Sequence, residues 1–95
     1  MTYKLKFIPA ALKEWKKLAP TIQQQFKKKL KERLVTPHVP AARLHELEGA
    51  YKIKLMASGY RLVYQVQDEE VLIMVLSVGK RERSEAYRKA KDRLQ

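Results

Sequence analysis

An α+β fold is predicted, with a four-stranded, mainly antiparallel sheet packed on an N-terminal helical hairpin and a short C-terminal helix at the end of the chain. Three observations predict it. Residues 51–67 alternate apolar and polar or cationic side chains in two runs separated by a turn signal, Ala57-Ser58-Gly59. Residues 71–78 are apolar almost throughout, the pattern of a strand covered on both faces and therefore central in its sheet. Two runs of apolar residues at helical spacing, each opened by a proline, precede the strands.

In chain order, residues 2–8 set Tyr3, Leu5 and Phe7 against Lys4 and Lys6, as in a strand wet on one side whose lysines discourage edge pairing. Pro9 suits a first helical turn, and Leu12, Trp15 and Leu18 with Ala11 and Ala19 form an apolar stripe in which Trp15 is a core anchor. Pro20 opens a second helix in which Ile22, Phe26, Leu30 and Leu34 recur every fourth residue, and Thr36-Pro37 stops it. Residues 35–50 carry Pro37, Pro40 and Gly49 and read as a loop with a short helical turn, pinned by Leu44 and Leu47. His38 and His45 lie there without metal-ligand spacing and are read as loop residues rather than ligands or bases. Ser84 is the expected N-cap of a final helix whose stripe of Ala86, Ala90 and Leu94 is thin, so light docking is expected.

Register decides which cations meet. An even loop after the first strand of the 51–67 pair would set Met56 opposite Arg61 and Lys54 opposite Val63. Lys52, Lys54 and Arg61 would then share one face, and Tyr51, Ile53, Leu55, Tyr60, Leu62 and Tyr64 would form the apolar layer on the other. An odd loop, Asp68-Glu69-Glu70, would bring Ser77, Gly79 and Arg81 onto the face of Arg61.

With 95 residues and 45% hydrophobic content, the chain fits one compact domain, residues 1–95. It has no cysteine, which excludes disulfides and thiolate metal sites, and no apolar run approaches the roughly 20 residues that cross a bilayer. No export signal is recognisable at its start, so a cytoplasmic location without membrane association is expected. A formal net charge of +11 calls for a polyanionic partner. Lys16, Lys17, Lys27, Lys28, Lys29, Lys31 and Arg33 outnumber the acids near them on the two helices, a surface suited to tracking phosphates. Lys16, Lys17, Lys27, Lys28 and Lys31, with Arg83 after the last strand, are the candidate contacts to RNA or the ribosome.

The segments YKIKL, SGYRLVYQV and SVGKRERSEAY, in the order strand, two helices, three strands and helix, closely resemble the RelE toxins of bacterial toxin–antitoxin modules across essentially the whole chain. The resemblance implies a fold like that of microbial ribonucleases and a ribosome-dependent endoribonuclease that cuts messenger RNA in the ribosomal A site. It implies a cognate antitoxin whose acidic segment wraps the toxin, and contact with operator DNA only through that antitoxin. Lys52, Lys54, Arg61, Arg81 and Tyr87 match the family's functional residues, and no metal or other cofactor is expected.

RNA cleavage by its own 2′-hydroxyl needs a base for that proton, cations for the phosphorane and an acid or counter-charge for the leaving 5′-oxygen. Lys54 between Lys52 and Arg61 is the candidate base, because neighbouring positive charges disfavour its protonated form. Lys52 and Arg61 would hold the phosphate. The resemblance suggests Arg81 as acid, although a guanidinium donates a proton poorly and is better suited to neutralising the leaving oxygen. Tyr87 would stack on or orient a nucleotide. Two other classes stand against this reading: toxins of the same fold, resembling the ParE group, that act on DNA gyrase and do not use these catalytic cations, and a noncatalytic module that binds ribosomal RNA, which the lysine-rich hairpin would suit.

Overall fold

In a computed structural model, residues 2–45, 47–80 and 85–94 are described, with the side chains of residues 85–87 and 94 outside that description. The elements are β1 (Lys4–Phe7), α1 (Pro9–Lys16), α2 (Pro20–Val35), β2 (Ala50–Lys54), β3 (Tyr60–Gln67), β4 (Leu72–Lys80) and α3 (Glu85–Leu94). Short 3₁₀ turns occupy Pro40–Ala42 and Asp68–Glu70. The strands form one sheet in the order β1-β4-β3-β2, with β1 parallel to β4 and the other neighbours antiparallel. The unbroken apolar strand is thus interior, as its composition requires.

Both helices of the hairpin begin on their prolines, where the missing N–H costs no hydrogen bond. They pack on the sheet face formed by Tyr51, Ile53, Leu55, Leu62, Tyr64, Ile73 and Val75. Trp15 bridges the layers, with ring centroids 5.4 Å from Phe7 and 6.1 Å from Phe26. Leu12, expected in the buried stripe, is exposed instead, and the small side chain of Ala11 takes the contact with the sheet, which lets α1 approach closely. The opposite sheet face buries Val63, Leu76 and Ala50, with Leu47, under Ala90 of α3.

Two register expectations need correction. Lys54 pairs with Arg61, not with Val63, because the turn closes one residue earlier: Leu55 N–H donates to Tyr60 O at 2.8 Å, and Gly59 turns the chain at φ +77°. The parity is unchanged, so the face assignment holds. At the second hairpin Gln67 pairs with Leu72, so the loop spans residues 68–71 and is even rather than odd. Val71 occupies the left-handed region at φ 53° to close it. A β-bulge then corrects the phase: Tyr64 pairs with Val75 but Val63 with Ser77, leaving Leu76 as the extra residue. Beyond the bulge Arg61 is opposite Gly79, which puts Ser77 and Gly79 on the expected face by a different route.

Candidate functional site

Directly opposed residues of an antiparallel pair have Cβ atoms about 5 Å apart, so the Lys54 and Arg61 side chains leave the sheet together. Lys52 lies on the same face two residues earlier, opposite Val63. On the far side of Arg61 stands Gly79, which adds no side chain beside the guanidinium. Lys54 is exposed, whereas Lys52 and Arg61 are half-buried. The structure therefore brings these three cations onto one patch of the sheet face that α3 covers farther along. Arg81 and Arg83 lie outside the described residues. Tyr87 falls within α3, and its side chain is also outside them.

The strand that carries the lysines is held from its outer edge. Arg33 Nη1 of α2 donates to the Lys52 carbonyl at 3.2 Å and to the Tyr64 hydroxyl at 2.8 Å, and its guanidinium carbon lies 5.7 Å from the Tyr64 ring centroid. Leu44 N–H donates to Ala50 O at 2.9 Å. These contacts occupy outward-facing carbonyls of β2, so the edge strand is anchored rather than open.

The helical cations divide between two sides of α2. Lys28 and Lys29 line a groove of about 550 Å³ with Glu32, Lys54 and Met56. Lys27 and Lys31 instead flank a depression near β1, floored by Leu5, Phe7, Trp15, Leu30 and Leu34. Lys16 and Lys17 are exposed at the end of α1. Of the expected RNA contacts on the helices, Lys28 shares this groove with the strand cation Lys54. Met56 at its lip is 83% exposed, an apolar surface beside the phosphate-sized charges that nothing in the alternating pattern singles out.

His38 is bound elsewhere. Its Nε2 is 2.8 Å from Asp68 Oδ1 and its Nδ1 is 3.1 Å from the Tyr51 hydroxyl. Tyr3 O–H also donates to Asp68 Oδ1, at 2.7 Å. The Tyr3 hydroxyl and His38 together hold the Asp68 carboxyl below its ordinary range. Asp68 follows the end of β3 remote from Arg61, roughly 20 Å along the strand at about 3.3 Å per residue. The histidine thus pins a loop and does not reach the cation patch. Among the described residues no cluster of His, Asp and Glu could hold a metal ion.

A cation patch on such a sheet has relatives. The family described as "ParE toxin of type II toxin-antitoxin system, parDE" matches residues 5–85. "mRNA interferase toxin RelE" of Escherichia coli K12 is 55% identical over 99% of both chains. The chain belongs to the RelE/ParE family of type II toxins. A mutant of E. coli toxin RelE in the free state superposes with a TM-score of 0.92, at 53% identity and over the full length of both chains. The same toxin in complex with an antitoxin RelBc peptide gives a TM-score of 0.83, at 54% identity over 95% of each chain.

Within this family fold, one cluster was missed by reading the sequence. Glu14 of α1 binds Lys89 Nζ at 2.7 Å and Arg93 Nη1 at 2.9 Å, both on α3. Arg93 Nη1 also donates to Leu76 O at 2.6 Å. Docking of α3 is therefore polar to an extent that its thin apolar stripe does not suggest. A signal existed: Glu14 is an acid set among Lys13, Lys16 and Lys17, and Lys89 and Arg93 are one helical turn apart.

Proposed function

We propose that the chain, residues 1–95 acting as one toxin domain, is the toxin of a type II toxin–antitoxin pair and works in the cytoplasm as a ribosome-dependent endoribonuclease on messenger RNA. The observation that carries this reading is the Lys54–Arg61 cross-strand pair with Lys52 beside it, in a chain 55% identical to a relative named as an mRNA interferase. No helix among the described residues is long and apolar enough to cross a membrane.

In the bound message the 2′-oxygen attacks the adjacent phosphorus and the P–O5′ bond breaks, leaving a 2′,3′-cyclic phosphate and a 5′-hydroxyl. Lys54, as the free amine, takes the 2′-hydroxyl proton; the charges of Lys52 and Arg61 lower the cost of that deprotonated form. Lys52 and Arg61 also offset the charge that accumulates on the phosphorane. Arg81 acts at the leaving 5′-oxygen, where its guanidinium neutralises charge as that oxygen takes up a proton from solvent water, and Lys54 returns the 2′-hydroxyl proton to solvent to close the cycle. Tyr87 stacks on a nucleotide beside the scissile phosphate. Lys28 extends the cationic track from Lys54 along α2, and Lys16, Lys17, Lys27, Lys31 and Arg83 contact ribosomal RNA on the surrounding surface.

A site of amines and guanidinia has no group suited to strong general acid–base work at neutral pH, so the ribosome must supply in-line geometry. An antitoxin with an acidic segment neutralises the surface by wrapping it, consistent with a relative solved with its antitoxin peptide; operator DNA is reached only through that partner. The test is incubation of purified protein with naked message and with programmed ribosomes. Cleavage on ribosomes alone, with 5′-hydroxyl ends, is expected, and equal cleavage of both substrates would refute ribosome dependence. The name of the matching family favours a second reading, a gyrase poison; inhibition of supercoiling by the protein without any new RNA ends would establish that one instead.

A further inference from the structure

β4 outruns its parallel neighbour. The pairing of β1 with β4 stops at Phe7 and Val75, with Ile8 N–H donating to Val75 O, yet β4 continues to Lys80. Past that point the backbone on this edge needs other partners. Side chains from two helices supply them. Val78 N–H donates to Glu14 Oε1 at 3.1 Å, and Leu76 O accepts from Arg93 at 2.6 Å.

The same carboxylate grips α3 at two levels. Arg93 forks onto it, Nη1 to Oε1 at 2.9 Å and Nη2 to Oε2 at 3.3 Å, while Lys89 Nζ takes Oε2 at 2.7 Å. The Glu14 side chain is only 17% exposed, so these contacts are partly shielded from water. Residues 89 and 93 are one turn apart on a helix, and a carboxylate holding both restrains rotation about the helix axis as well as distance. Ala90, buried between them against Val63 and Leu76, supplies a single methyl group and little orientation of its own. The backbone at position 87 is three residues from Ala90, about 4.5 Å along the helix axis at 1.5 Å per residue. The backbone at position 87 therefore turns with the helix as residues 89 and 93 are held.

We propose that Glu14 is a positioning residue for RNA cleavage: by clamping Lys89 and Arg93 to the open edge of β4, it sets the rotation of α3 and with it the helix backbone that carries Tyr87. This rests on the role given to Tyr87 above. Glu14 touches no substrate; it acts through the helix. Misplacement of a substrate-orienting group by about 1 Å costs up to roughly a hundredfold in rate, so loss of the clamp lowers the rate of the bound complex rather than its affinity.

The test uses the full chain with the substitutions Glu14→Gln, Arg93→Lys, Tyr87→Ala and the double variant Glu14→Gln/Tyr87→Ala. Glu14→Gln keeps an acceptor for Val78 N–H while removing the charge, and Arg93→Lys keeps the charge while removing the fork, so neither depends on tolerance of a cavity. Single-turnover cleavage at saturating programmed ribosomes is read beside ribosome affinity and amide exchange of residues 88–94. The expected result is a loss of about tenfold or more in rate for Glu14→Gln and for Arg93→Lys, affinity within about twofold because the net surface charge is little altered, and faster exchange in α3. The double variant should cleave no more slowly than Tyr87→Ala. Losses that multiply in the double variant, or an unchanged rate in Glu14→Gln despite faster exchange, would overturn the proposal. Normal cleavage by Tyr87→Ala would be a different failure, overturning the role of Tyr87 itself and with it the route from Glu14.

Discussion

Replacing Tyr64 by phenylalanine removes one oxygen from the centre of the helix-covered face, and its consequence follows from the contacts of that oxygen. Tyr64 is fully buried. Its hydroxyl donates to Pro37 O at 2.8 Å and accepts from Arg33 Nη1 at 2.8 Å, tying the loop after α2 to both α2 and β3. Burial is the main influence that raises the phenol pKa, partly opposed by Arg33, so the hydroxyl is a neutral donor at neutral pH. A neutral hydrogen bond contributes about 1 kcal/mol, and one to a charged partner about 1.5–3 kcal/mol. The Arg33 guanidinium is half-exposed and recovers part of its loss from water, whereas the buried Pro37 carbonyl loses this donor and keeps only the longer bond from Val39 N–H at 3.1 Å. The expected destabilisation for Tyr64→Phe is about 2–3 kcal/mol, with no cavity contribution because the ring stays. For a chain of this length that corresponds to a fall in Tm of roughly 10–20 °C. Urea denaturation checks it, with an unchanged slope showing that the denatured state is the same. Tyr51→Phe is the control, since among the described residues its hydroxyl meets part-exposed His38 at 3.1 Å, and a loss below about 1 kcal/mol is expected. A Tyr64→Phe loss no larger than that of Tyr51→Phe would mean that the oxygen is not a tie between layers.

Lys28→Ala should weaken binding to programmed ribosomes and flatten its salt dependence, while single-turnover cleavage at saturation stays within about twofold; a saturating rate that falls with the affinity would place Lys28 in the chemistry. Burial alone would raise the Glu14 carboxyl, but Arg93, Lys89 and the Val78 N–H outweigh it and hold the group below its ordinary 4.5. A depressed carboxylate stabilises the fold fully above that ordinary value and ceases to do so as pH falls through the lower folded value. Melting curves below pH 4.5 should therefore be less steep in pH for Glu14→Gln than for the unaltered protein, and parallel curves would contradict it. An antitoxin with an acidic segment should compete for Lys89 and Arg93 and loosen α3, so amide exchange in residues 88–94 should speed up in the inhibited complex; a helix that stays protected there would exclude displacement as the means of inhibition.

The strands and the helical hairpin were legible because binary pattern and proline placement agree at each of them. Residues 71–78 could only be interior, and Lys52, Lys54 and Arg61 could share a face in any even register. The bulge at Leu76 was not legible. It arises because Val71 closes an even loop, and one extra residue must then be absorbed to return the polar phase of β4 to the face of Arg61. The docking of α3 was misjudged for a related reason. Apolar periodicity registers Ala90 but is blind to Glu14, which reaches α3 from α1 across 75 residues of sequence. The division of the α2 lysines is likewise tertiary, since Lys27 and Lys28 are adjacent in the chain and the packing of α2 against β1 and β2 decides which groove each one lines.

The claim that the strand cations perform chemistry, and do not merely attract RNA, is tested most directly by single-turnover cleavage at saturating programmed ribosomes for Lys54→Ala and Arg61→Ala. Each removes one charge of many, so affinity should change little. Each also removes a preorganised group at a developing charge, a loss on the order of 3 kcal/mol, and the bound rate should fall roughly a hundredfold. Normal rates from both variants in the bound complex would contradict the account and leave Lys54 and Arg61 as binding residues only.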